Sequence, residues 1–132
     1  MLDVYFAIAA NRVLVDTRTN QVSIIDVYEK LEAPKFPVFL PKVTLLFYLS
    51  REANDPQTRD LTMICDLEDQ EIFNTQVHVD FQSSLTNRIV LEVEGITIPK
   101  PGSLKARIMD KDQSLGVLDL MVEQQTSASL KY

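Results

Sequence analysis

The stretch that decides the fold is LTMICDLEDQEIFNTQVHVDF, Leu61 to Phe81. Leu61, Met63, Cys65 and Leu67 fall on one side of an extended chain. Thr62 and Asp66 fall on the other, with Ile64 an exception. After the polar Glu68-Asp69-Gln70, residues Phe73, Val77, Val79 and Phe81 share one face, and Asn74, Gln76, His78 and Asp80 the opposite one. Alternation with period two on both sides of a polar turn predicts a half-buried β-hairpin. A turn centred on Asp69 sets Cys65 opposite Phe73 and Leu67 opposite Glu71.

The same period continues downstream. In RIVLEVEGITI, Ile89, Leu91 and Val93 oppose Glu92 and Glu94. In ITIPKPGSLKARI, Pro99 and Pro101 stop one strand. Gly102 permits a positive φ, and Leu104, Ala106 and Ile108 resume an inward face, so the segment predicts a corner between strands. KDQSL turns the chain into a last strand, GVLDLMV, and residues 123–132 read as a flexible polar tail.

Upstream, VTLLFYLS (43–50) is nearly all apolar and predicts a central strand covered on both faces. APKFPVFLPK before it has three prolines in ten residues. That spacing excludes a helix and predicts an extended crossing loop between two sheets. VSIIDVYEKL (22–31) predicts one strand, on its β-branched content and its lack of a helical stripe. DTRTNQ is a polar turn. In VYFAIAA, Val4, Phe6 and Ile8 are expected on one face, with a bulge at Asn11-Arg12. Eight or nine short strands with no convincing helix predict an all-β fold. We expect one antiparallel sandwich domain over residues 1–122.

The totals narrow the function classes. A net charge of −6 and a pI of about 4.7 oppose a phosphate backbone, and no dense basic run appears. The one cysteine, Cys65, allows no internal disulfide. No apolar run approaches a membrane helix, and the start of the chain lacks a basic leader region. A cytoplasmic protein without nucleic-acid or membrane partners is the expectation.

Candidate chemistry is sparse. Cys65 and His78 could form a nucleophile and base, but the hairpin register puts them on opposite faces, separated by roughly 16 Å of strand. With a single histidine, sites needing two imidazoles are excluded. Asp110, Asp112 and Ser114 resemble the start of a calcium loop. Leu115 and Met121 stand where the loop needs glycine and glutamate. A weaker cation site would combine Asp110 and Asp112 with Asp66, Glu68 or Asp69. Glu92 and Glu94 share a strand face in a pattern that suits solvated carboxylates better than an acid–base pair. No phosphate-binding or nucleophile-elbow motif occurs, and no cofactor is expected.

The most distinctive surface candidate is PKFPVFLP. There Phe36, Val38, Phe39 and Leu40 sit among prolines that lower the entropy cost of ordering, which suits a docking site for a partner or a second copy.

VYFAIAA, SIIDVYEKLEAPKFP and IPKPGSLKARIMD, followed by the hairpin to LGVLDLMV, together make the chain resemble a family of small uncharacterised bacterial proteins. The resemblance spans most of residues 3–122. It implies an immunoglobulin-like β-sandwich and brings no catalytic residues. Leu104, two residues after Gly102, stands where such sandwiches often place an aromatic, so a tyrosine corner is not expected. The expected role is a non-enzymatic module for protein–protein contact or assembly, with a partner protein or as a homo-oligomer. The rival is a ligand-binding module for a divalent cation or a carbohydrate, using the acidic hairpin ends.

Overall fold

In a computed structural model describing residues 1–125, 73% of the described residues are strand and none is helix. Nine strands occur among them: β1 (Asp3–Val15), β2 (Val22–Val27), β3 (Lys30–Ala33), β4 (Val38–Ser50), β5 (Thr58–Leu67), β6 (Gln70–Asp80), β7 (Thr86–Ile98), β8 (Gly102–Asp110) and β9 (Gln113–Gln124). They form a four-stranded sheet in the order β2-β1-β4-β7 and a five-stranded sheet in the order β3-β9-β8-β5-β6. The second sheet is curled into a half-barrel. Phe47, Leu61, Met63, Leu67 and Ile108 lie between the sheets with almost no exposure.

The β5–β6 hairpin forms as its alternation predicts, with Cys65 opposite Phe73. A bulge after Cys65 then shifts the register, so Leu67 faces Gln70 rather than Glu71. Glu68 takes the left-handed conformation that this tighter turn needs (φ 54). Its backbone N–H donates to Ser103 O at 2.8 Å, and its carboxylate Oε1 accepts from the Ser103 N–H at 3.1 Å. Gly102 is the reason this clasp fits. It has φ 154, and a Cβ there would stand 2.6 Å from Glu68 Oε1. The corner at Pro99–Gly102 lies where expected, between the end of β7 and the start of β8.

Three expectations need correction. The segment 22–31 is not one strand. It breaks at Tyr28-Glu29, and its two parts join different sheets. The second part, β3, runs parallel to β9, so the sandwich is not wholly antiparallel. The crossing loop is shorter than the prolines imply, because β4 begins at Val38 and only Pro34 to Pro37 pass between sheets.

The bulge of β1 is also elsewhere. It falls between Val4 and Phe6, while pairing with β2 keeps one register from Ala10 to Val15. Val4 therefore packs inward, and Ala7 and Ala9 follow it, while Phe6 is turned out to 43% exposure. The expectation that Phe6 and Ile8 share the inward face with Val4 fails for this reason. At the other end of the chain, β9 runs to Gln124, beyond the expected domain limit at 122. The rest of the expected tail, 126–132, lies outside the described residues.

One long-range feature shapes the molecule. β1 pairs with β4 through Asp3 to Ala10 and with β2 from Ala10 onward. Continued straight, the hairpin turn would stand roughly 20 Å beyond Ala10, at about 3.3 Å per residue. Instead Arg88 on β7 donates a hydrogen bond to Asn20 Oδ1 in that turn. Arg88 opposes Tyr48, which opposes Phe6, well back along the sheet. The β1–β2 hairpin thus doubles back over the outer face of its own sheet. Thr44 Oγ1 donates to Asn11 O at 3.2 Å beneath it, and Ala10, Thr44 and Leu46 are fully buried. This third layer is why 43–50 carries apolar residues on both faces.

Candidate functional site

The prolines of 34–41 do not hold all four predicted docking residues on the surface. Phe36, Val38 and Leu40 are half-buried and pack against the core, and Phe39 alone is open, at 61% exposure. Strand phase explains the split. On β4, Val38 and Leu40 face inward, but so do Val43 and Leu45, so the strand changes face near Pro41. On β7, Leu91 and Val93 face inward, as do Ile96 and Ile98, with the change at Gly95 (φ 73). The Phe39 ring lies over Gly95, 3.8 Å from where a Cβ would be, in a glycine–aromatic contact across the pair.

Beside this contact lies a groove of about 390 Å³, lined by Ile72, Phe73, Val93, Ile96 and Glu94. It runs where β6 meets β7. Among the described residues each of these strands has one neighbour in its sheet, so both edges are unpaired on this side. Free N–H and C=O groups on two strands therefore flank a trough that mixes apolar side chains with Glu94 and Thr97, with the exposed Phe39 ring beside it.

The residues of the weaker, alternative cation site do not converge. Asp110 forms an ion pair with Arg59, and Asp66 with Arg107. Asp66 opposes Lys105, five residues along β8 from Asp110, which is roughly 16 Å of strand. Asp112 is exposed in the β8–β9 turn, and Glu68 is held by Ser103. Among the described residues no group of three or more His, Cys, Asp or Glu is placed to hold a metal ion.

Cys65 and His78 are likewise apart. Cys65 is buried, and burial first, then the neighbouring Asp66 carboxylate, push its thiol up to about 12. His78 opposes Asp60 and its Nδ1 lies 2.7 Å from Asp60 Oδ1 on the polar face. Glu92 pairs with Lys42 at 3.3 Å.

A second cleft, of about 300 Å³, lies under the tip of the folded-back hairpin and matches no sequence motif. Tyr5 and Tyr48 line it, with ring centroids 5.9 Å apart and planes tilted by 35°. Phe6 also packs on Tyr48, with ring centroids 5.7 Å apart. The bulge after Val4 is what brings both Tyr5 and Phe6 to Tyr48. Arg88, Asn20, Asn87 and Asp80 line it too, with Phe81, Gln82, Ser84 and Thr86. Asn87 Nδ2 donates to Asp80 O at 2.7 Å, and the Asp80 carboxylate accepts from the Gln82 N–H at 2.9 Å. The hairpin tip is built to stay in place. Asp16 Oδ1 accepts from the N–H of Arg18 (2.8 Å) and of Thr19 (3.3 Å), and Asn20 sits in the left-handed region (φ 61) that asparagine tolerates.

Comparison with known proteins places a family model over most of the chain. The model is described as a family of unknown function, DUF6941, and it covers residues 5–123. No curated protein matches the chain significantly.

Proposed function

Since the chain belongs to the DUF6941 family of unknown function, we propose from its surface that it is a non-enzymatic interaction module that receives an extended segment of a partner protein. The observation that carries this is Phe39, 61% exposed over Gly95 beside a groove of mixed polar and apolar lining between two unpaired strand edges. An extended chain laid there gains main-chain hydrogen bonds from an edge and buries alternate side chains in the trough. Glu94 lines the trough and the chain carries a net charge of −6, so a segment alternating apolar residues with Lys or Arg is the complementary occupant.

The strand order supports an immunoglobulin-like assignment within the sandwich class. β4 and β7 pair in one sheet, β5, β8 and β9 belong to the other, and the chain crosses between them after β4, β6 and β7. Immunoglobulin-like domains pair strand B with E and group C, F and G in the other sheet, which supports this reading. The lone buried thiol of Cys65 suits a reducing compartment, which supports a cytoplasmic setting.

A photo-reactive phenylalanine analogue at position 39, with a control at position 112, tests the docking site in cells. Cross-linking from 39 but not 112 to one discrete protein supports the proposal. Equal or absent cross-linking at both positions overturns it. Light scattering on the purified chain identifies the other occupant. A dimer lost in Phe39→Asp makes the partner a second copy.

A further inference from the structure

We propose that the cleft beneath the β1–β2 hairpin tip is a binding site for an uncharged pyranose sugar, separate from the docking groove. Three properties of the walls select that chemistry. First, the aromatic rings of Tyr5 and Tyr48 lie against each other at the cleft, and Tyr5 is 54% exposed. Aromatic rings offer an apolar face to the C–H side of a sugar while the phenol groups stay available for hydrogen bonds.

Second, the polar walls mix donors and acceptors. Arg88 is donor-only and Asp80 acceptor-only, while Asn20 and Asn87 are both. Sugar hydroxyls donate and accept, so they need that mixture. An anion or a cation would need walls of one kind.

Third, the charge sums to zero. Among the described residues Arg88 and Asp80 are the two charged ones lining the cleft, one of each sign. Arg88 is hydrogen-bonded to the neutral Asn20. The volume of about 300 Å³ is at the lower end of small-molecule sites, which suits one or two sugar rings.

The site is pre-organised by the fold. Asn20 comes from the hairpin tip, Arg88 from β7 and Tyr48 from β4. The Asn20–Arg88 bond fixes the guanidinium at the cleft before any ligand arrives. Such preorganisation lowers the cost of binding.

The chain has no tryptophan and four tyrosines, two of them in the cleft, so a change in tyrosine fluorescence that is lost in Tyr5→Ala reports on the site. The test titrates the protein with glucose, galactose, mannose and N-acetylglucosamine and their methyl glycosides, read by fluorescence and by saturation-transfer NMR. The expected result is saturable binding of at least one sugar at millimolar concentration or tighter, weakened tenfold or more in Tyr5→Ala and in Asn20→Gly. Tyr5 is exposed, and glycine keeps the left-handed turn conformation at position 20, so the melting temperature of Tyr5→Ala should stay near wild type and separate lost binding from lost fold. Absence of saturable binding across the panel overturns the proposal, as does unchanged affinity in Tyr5→Ala. A response to glucuronate but to none of the uncharged sugars also overturns it, because Arg88 alone would then set the specificity.

Discussion

Pro41 and Gly95 face one another across β4 and β7, between the register pairs Leu40–Ile96 and Lys42–Glu94, and both strands change their inward face at that point. Proline and glycine each do what the other cannot. Proline withholds a ladder donor, and glycine accepts φ 73. Gly95→Ala should therefore destabilise the fold by about 1–2 kcal/mol, the cost of a left-handed non-glycine residue. The Phe39 ring at 3.8 Å is an ordinary contact and adds little. Urea unfolding measures this as a lower midpoint at an unchanged slope.

Gly116 works differently, through a close approach of β9 to β1. A Cβ there would stand 2.5 Å from Val4 Cβ, a stiff atom that cannot rotate away. Gly116→Ala should cost about 1–3 kcal/mol, the range for overpacking a core. Val4→Ala does not remove the clashing Cβ, but Val4→Gly does. Adding Val4→Gly to Gly116→Ala should therefore show favourable coupling in a double-mutant cycle, with the pair less destabilised than the sum of the singles.

Much of this architecture is legible in the sequence where it depends on local alternation. The β5–β6 hairpin, the corner at Gly102 and the central strand at 43–50 are all readable there. What escapes depends on long-range placement. A one-residue bulge at Val4–Phe6 inverts a face without changing composition. Period-two patterns carry no sign of where β1 bends or of what Asn20 will touch. The cleft draws on residues 5, 20 and 48 and on the segment from 80 to 88, which share no motif: sheet pairing sets Tyr48 beside Arg88, and Asn20 arrives only when the hairpin folds back. Phe39 stands out from sequence alone, but its separation from Val38 and Leu40 depends on strand phase, which changes at Pro41.

Arg51 is buried and spends its guanidinium on main-chain oxygens. Nε donates to Ser84 O at 2.8 Å, and Nη1 donates to Asp55 O at 3.1 Å and Glu52 O at 3.3 Å, while the group sits 5.5 Å from the Phe81 ring centroid. It ties the β4–β5 and β6–β7 connections together. Arg51→Ala should cost about 2–4 kcal/mol, because it removes the charged hydrogen bonds and the cation–ring attraction at once. Amide exchange should quicken first at Arg51, whose N–H donates to Leu85 O.

The Cys65 thiol predicts a pH dependence. Its ordinary value is 9.0 and burial raises it to about 12 in the fold. Between these values the unfolded chain binds fewer protons than the folded one, so stability falls as pH rises. The contribution is complete below pH 9.0 and is lost progressively towards pH 12. It amounts to about 4 kcal/mol at most, at about 1.36 kcal/mol per unit. Denaturant midpoints of wild type and Cys65→Ala, compared from neutral to strongly alkaline pH, should converge as pH rises. Iodoacetamide should modify Cys65 at pH 8 only when denaturant is present.

The parallel pairing of β3 with β9 joins Lys30 to Met121 and Ala33 to Gln124. A contact of such sequence separation closes a loop of most of the chain and tends to form late. During synthesis, β2 can fold with β1 as soon as their hairpin emerges, whereas β3, the very next strand, must wait for the last one. Until then its edge is exposed beside newly made chains. The order of synthesis thus leaves a brief interval in which this edge is open to the wrong partner.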